Sequence, residues 1–281
     1  MKRAWPAFLG PLALAGCGRL ERLVTDVTPE QWLAAHPHLP VRVGQAAFIL
    51  CEPSSTVFVY ALGVVLAVAG FLVLRKRGTG RSRLLWGIAF LVWAAATFSA
   101  GTSYQAFAWQ IKGAGRELFL WTSWWEIAYL ILFVASMNLI AAAVSVSSAS
   151  GKARRRLVAY ASANTAAYLC AVLVGALAPL RFLASFECML LFVAPTFILL
   201  FVVNAARYAA TRRRLELGLV VSWLLLLAVV VAYFAYYLSG RAEALWAKGV
   251  WFNANDVLHI GLILWVLHFL VFVAGKLEDG A

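Results

Sequence analysis

Beyond residue 53 the chain alternates long apolar runs with short basic loops. Seven runs stand out, at 54–74, 84–106, 119–147, 157–179, 183–206, 216–238 and 253–275. Each is long enough to cross a hydrocarbon core of about 30 Å as a helix. The pattern predicts an all-α fold, a polytopic membrane protein built as a seven-transmembrane helix bundle.

The loops between the runs orient the bundle. Arg75, Lys76, Arg77, Arg81 and Arg83 follow the first run, Lys152 and Arg154 to Arg156 the third, and Arg207 and Arg212 to Arg214 the fifth. The alternate loops carry only Lys112 and Arg116, then Arg181, then Arg241 and Lys248. Basic loops stay on the cytoplasmic side, so the expected topology is N-out/C-in in a bacterial-type inner membrane. Trp109, Trp121, Trp124, Trp125, Trp246 and Trp251 fall at the outer boundaries, where indole rings favour the interface. The expected organisation is a signal-like segment over 1–17, an extracytoplasmic segment over 18–53, the bundle over 54–275 and a cytoplasmic tail over 276–281.

Composition agrees with this class. Of 281 residues 64% are hydrophobic and only 13% charged. The net charge of +12 would suit nucleic acid, but its confinement to loops points to topology instead, so no nucleic-acid partner is expected. The four cysteines have no metal-ligand spacing. Cys51 and Cys188 fall near the outer face and could pair, or both could be buried free thiols.

The N-terminal region has three features. An apolar stretch, Ala4 to Gly16, contains Pro6 and Pro11 and is too short to span. It ends Leu14-Ala15-Gly16-Cys17, similar to a bacterial lipobox, which makes Cys17 a candidate for lipidation. Thr28-Pro29-Glu30-Gln31 predicts a helix start, with Thr as cap, Pro at the first position and Gln at the third. His36-Pro37-His38 reads as a turn in preference to a metal motif.

Ionisable groups inside spans are candidates for function, because an unpaired one is costly there. Four acids remain once loop and tail charges are set aside: Glu52, Glu126, Glu187 and Asp256. All open odd-numbered spans, so the topology places them in one outer layer with Ser103, Gln105, Asn253, Asn255 and His259. Asp256 and His259 are three apart, about 60° around a helix, and share a face. Asp256, His259, Glu126 and Ser103 are the candidates for acid–base or nucleophilic work. Gln105, Asn253, Asn255, Glu52 and Glu187 are candidates for ligand binding. His259, Asp256 and Glu126 could together hold a divalent metal, and an Asp–His pair suits either a metal or a proton transfer. The competing structural reading makes Asp256 a helix cap and Glu52 and Glu187 boundary groups. Asn138 and Asn204 are expected to form interhelical hydrogen bonds.

The layout resembles a known superfamily, the alkaline ceramidases and adiponectin-receptor-like proteins. The resemblance lies in the seven spans, in Gly101-Thr102-Ser103-Tyr104-Gln105-Ala106-Phe107 ending span two, in Glu126 opening span three and in Asn255-x-x-x-His259 opening span seven. It implies an intramembrane zinc hydrolase of lipid amides. Ala108 stands where that family has a histidine, and Asn255 replaces the first histidine of the span-seven motif, so the zinc donor set is incomplete. A retinal protein is excluded, because span seven contains no lysine. Pro195 is the one obvious break candidate inside a span.

The sequence therefore supports an integral membrane protein with an outward-facing polar cavity between spans one, two, three, five and seven. That cavity would bind, sense or transport a small ligand, cation or proton. A lipid-directed hydrolase of the resembled kind and a structural membrane subunit are the alternatives, so enzymatic activity stays open.

Overall fold

The structure, a computed structural model, describes residues 19–75 and 80–279. Cys17 with the signal-like segment, and the basic pair Lys76 and Arg77, lie outside the described residues. Among the described residues seven helices are long and apolar enough to cross a membrane. They are Pro53–Arg75, Arg81–Ala106, Trp124–Ser148, Gly151–Leu177, Phe186–Thr211, Arg214–Tyr237 and Ala254–Lys276, here spans one to seven. The chain is a multi-pass, all-α membrane protein whose outer surface meets lipid.

Two span limits differ from expectation for physical reasons. Span three starts at Trp124 instead of 119, because residues 119–121 are held as extended chain. The Thr25 amide donates to the Phe119 carbonyl at 2.7 Å and the Trp121 amide to the Leu23 carbonyl at 2.8 Å. Ser123 then caps the helix, its side chain accepting from the Glu126 amide. Span four starts at Gly151 and takes Lys152 and Arg154 to Arg156 into its first turns, since Lys and Arg are good helix formers whose long side chains can reach the interface.

The segment before span one is folded, not simply polar. Thr28 and Gln31 form the expected capping box on a short helix, Pro29–Ala34. A hairpin follows that sequence analysis does not anticipate: β1 (His38–Val43) pairs antiparallel with β2 (Ala46–Cys51). Its two-residue turn begins at Gly44, at φ +59°, which glycine adopts without a Cβ penalty. Pro40 within β1 disguises the strand, since proline removes a ladder donor. Trp32 stacks between His36 at 4.0 Å and Phe119 at 4.3 Å, seating the short helix on the loop after span two. The His36 Nδ1 lies 2.7 Å from the Trp32 carbonyl; the chain bends at His36, and His38 already begins β1.

The bundle core is aromatic. Trp86, Trp93, Trp223 and Trp265 are buried together with Phe90 and Phe269, with neighbouring ring centroids 4.4 to 6.4 Å apart. Spans one and two approach closely at paired glycines. A Cβ on Gly70 would stand 3.0 Å from the Gly87 carbonyl, and one on Gly87 3.2 Å from the Gly70 carbonyl. Small residues at such a crossing let backbones pack where no hydrophobic drive separates helix from lipid. Span five runs unbroken through Pro195, the one break candidate in the sequence.

The polar groups away from the hairpin end behave as interhelical glue. The Asn164 amide donates to Asn138 at 3.2 Å. Asn204 donates to Glu216 at 2.7 Å and to Ser148 at 3.2 Å, and accepts from the Trp223 indole at 2.8 Å. Glu216 is fully buried in that cluster, although its position in a basic loop sequence reads as a surface charge.

Candidate functional site

At the hairpin end the expected polar layer resolves into separate groups. Span two finishes in a π turn, Gly101–Ala106, in which each amide reaches one residue farther back than in an α-helix. Its wider turn carries Ser103 onto the start of span three. There Ser103 donates to Glu126 at 2.9 Å and lies 2.6 Å from the Ser123 hydroxyl. Glu126 is also ion-paired, with Lys112 Nζ at 2.7 Å, and both side chains are buried. Lys112 lies over the Tyr104 and Phe119 rings at 5.3 and 5.4 Å. Sequence reasoning assigns Lys112 to an orienting loop charge. The structure makes it the counter-ion of the one deep acid of span three, because the loop folds back over the bundle. A buried pair of this kind is satisfied and expensive to break, which makes Glu126 an anchor, not a free acid or base.

The second group joins spans one and seven. Asn253 caps span seven, its side chain accepting from the Asn255 and Asp256 amides, while Asp256 reaches back to the Asn253 amide at 2.8 Å. The same carboxylate accepts from Ser54 at 2.9 Å and from Ser55 at 2.8 Å. Asn253 donates to Glu52 at 3.2 Å. Glu52 sits where β2 turns into span one, at φ +42°. Burial pushes its carboxyl up to about 7, with the Asn253 hydrogen bond opposing and the charge of Asp256 adding to the rise. Ser54 and Ser55, which the sequence hides beside Pro53, supply the interhelical donors.

This geometry corrects the expected Asp256–His259 pair. A carboxylate in a capping box curls toward the helix start, away from a residue one turn farther in. Asp256 is fully buried and engaged with three donors. His259, 9% exposed, has no hydrogen-bond partner among the described residues, and its Nδ1 is buried. The expected metal set of His259, Asp256 and Glu126 is likewise divided. Among the described residues no group of three or more His, Cys, Asp and Glu is placed to hold a metal. Gln105 is buried with its Oε1 unpartnered. Asn255 lends its backbone amide to the cap, and Glu187 is exposed in the first turn of span five. Cys51 and Cys188 are both buried and free, so the possible disulfide is absent.

His259 faces a different environment from the acids. It lines a cavity of about 440 Å3 bounded by spans one, two, three, five, six and seven. The cavity is lined mostly by apolar side chains, contrary to the polar cavity expected. Trp93, Phe133, Met137 and Phe197 belong to its wall, and among the described residues the only polar ones on it are Thr97, Tyr129 and His259. The Thr97 hydroxyl is spent on the Trp93 carbonyl at 2.9 Å. The Tyr129 hydroxyl, like His259, has no hydrogen-bond partner among the described residues; Tyr129 makes only ring contacts, with Tyr104 and Phe133. A pocket of a few hundred Å3, apolar with a few convergent polar groups, is the usual form of a small-molecule site. Tyr129 is the functional candidate that sequence reasoning misses. Its signal is slight: one turn beyond Glu126, in a run of large apolar residues.

No family model, curated protein or solved structure matches the chain. The class defined by fold and site is thus a seven-span integral membrane protein with a central apolar cavity.

Proposed function

We propose that this protein binds a small, mainly apolar ligand in its central cavity, with His259 as the polar anchor and Tyr129 as its companion. The observation that carries this reading is the buried, unpartnered His259 on a cavity wall. Native proteins satisfy nearly all buried polar groups, and the exceptions call for a partner. Here every acid of the same layer that is buried has its partners, and the histidine beside the cavity has none. Binding, and signalling or transport that follows from it, fit a site of this kind better than hydrolysis, for which no assembled acid, base and electrophile accompanies His259. The loop charges support N-out/C-in insertion, with the cavity in the leaflet next to the hairpin.

The test uses 1-aminoanthracene, a small aromatic amine whose fluorescence rises in apolar sites, with the protein in nanodiscs. Wild type should show saturable binding. His259→Leu should weaken it at least about fivefold, the worth of roughly one hydrogen bond. The same variant should keep its melting temperature, since no native hydrogen bond is lost. Asp256→Asn should do the reverse, lowering the melting temperature while retaining the probe. A His259→Leu protein that binds normally, or that melts much earlier than wild type, would contradict the proposal.

A further inference from the structure

We infer that the ligand is a membrane-dissolved molecule with an uncharged hydrogen-bonding head, and that it reaches His259 sideways, from the bilayer, between spans five and six. The inference rests on the proposed ligand-binding role of the cavity and concerns what enters and by which route.

The route follows from where the cavity wall meets the surface. The wall residues of spans one, two, three and seven are buried or half-buried. The exposed wall residues are Phe186, Ala194 and Ile198 of span five and Leu227 and Val230 of span six. Ile198 is 60% and Leu227 47% exposed. The two helices are tied at their other ends, where Asn204 meets Glu216 and Trp223, and Phe197 meets Trp223 with ring centroids 6.1 Å apart. Toward the hairpin end span six instead leans on span seven: Gly261 abuts Val229, and Tyr236 donates to the Phe252 carbonyl at 3.1 Å. Between that tie and the hairpin end, the exposed wall residues of spans five and six mark the mouth of the cavity on the lipid-facing side. The hairpin end is closed by the Lys112–Glu126 pair with Tyr104 against Tyr129, and by the Ser54, Ser55 and Asp256 cluster. The opposite end is closed by the tryptophan layer.

The chemistry of the head follows from the lining. Among the described residues no Lys, Arg, Asp or Glu stands on the cavity wall. A charged head would be buried there without a counter-charge, which is strongly unfavourable. An imidazole and a phenol together offer donors and acceptors to a hydroxyl or carbonyl. An apolar body matches both the cavity wall and the lipid-facing mouth.

Competition against bound 1-aminoanthracene in nanodiscs tests this with three twelve-carbon probes: dodecan-1-ol, dodecanoate and dodecyltrimethylammonium. They are compared at equal mole fraction in the bilayer. The alcohol should displace the reporter at least tenfold more effectively than either ion, and His259→Leu should abolish the difference. Ala194→Phe, which narrows the mouth, should slow reporter association at least tenfold with an unchanged melting temperature, whereas Leu227→Ala should leave it equal or faster. Equal displacement by the ions, or association rates indifferent to both mouth variants, would overturn the inference while leaving the binding role standing. Failure of 1-aminoanthracene to bind wild type at all would instead remove the binding role on which it rests.

Discussion

At the residue scale, position along the chain says little about whether a polar group is free. Glu126, Asp256 and Glu52 read alike in the sequence, as acids opening spans. In the fold Glu126 meets a buried lysine, Asp256 closes a capping box with two serines of span one, and Glu52 sits half-buried at a strand–helix join. Sequence reasoning ranked these acids above their surroundings and could not see Lys112, Ser54, Ser55 or Tyr129, because each partner becomes visible only when helices are set side by side. Glu52 yields a pH prediction whose sign is fixed by its raised carboxyl. In the folded protein that group holds its proton up to about pH 7, whereas an unfolded glutamate releases it near about 4.3. Its contribution to stability is thus fully present below the unfolded value and is lost as pH rises through about 7. His36 works in the opposite sense, since burial lowers its affinity for a proton. The clean measurement is therefore a difference. The melting temperature of wild type minus that of Glu52→Gln should fall between pH 4.5 and 7.5, and a flat difference would mean that the Glu52 carboxyl is not shielded from water.

At the element scale the spans were legible and their joins were not. Hydrophobic run length placed all seven helices, because the bilayer imposes a length that few other structures need. The errors lie where chain segments satisfy one another's backbone. Residues 119–121 look like helix and are extended, held by Leu23 and Thr25. The hairpin at 38–51 was hidden by Pro40 and by a strand pattern too short to stand out. The hairpin packs on the segment that carries Lys112, with Gln110 donating to the Ile49 carbonyl and Phe48 against Phe107, so an unforeseen element borders the polar layer. Spans one and two give a packing prediction. Gly70→Ala would place a methyl 2.8 Å from Leu91 Cγ and 3.0 Å from the Gly87 carbonyl. Because the second contact is backbone, relaxation must separate the helices, at about 1–3 kcal/mol. Unfolding in denaturing detergent should show that loss for Gly70→Ala.

At the scale of the whole molecule, the polar layer and the cavity are different things. The acids staple helices to one another and to the folded cap, and the cavity they overlie is apolar apart from Thr97, Tyr129 and His259. The sequence pairs His259 with Asp256, because helical periodicity puts both on one face, and the capping box turns that carboxylate away. A zinc hydrolase of the resembled kind needs donors converging on one point, and this arrangement disperses them. What remains is a cavity with a mouth toward lipid, and on its wall His259 and Tyr129, without hydrogen-bond partners among the described residues. The most direct measurement is the location of 12-bromododecan-1-ol in crystals of the protein, read from bromine anomalous scattering together with the density of the chain. The account predicts the hydroxyl about 3 Å from His259, within hydrogen-bond reach, with the chain leaving between spans five and six. A cavity filled by ordered water, or a probe bound elsewhere with the cavity unoccupied, would contradict it.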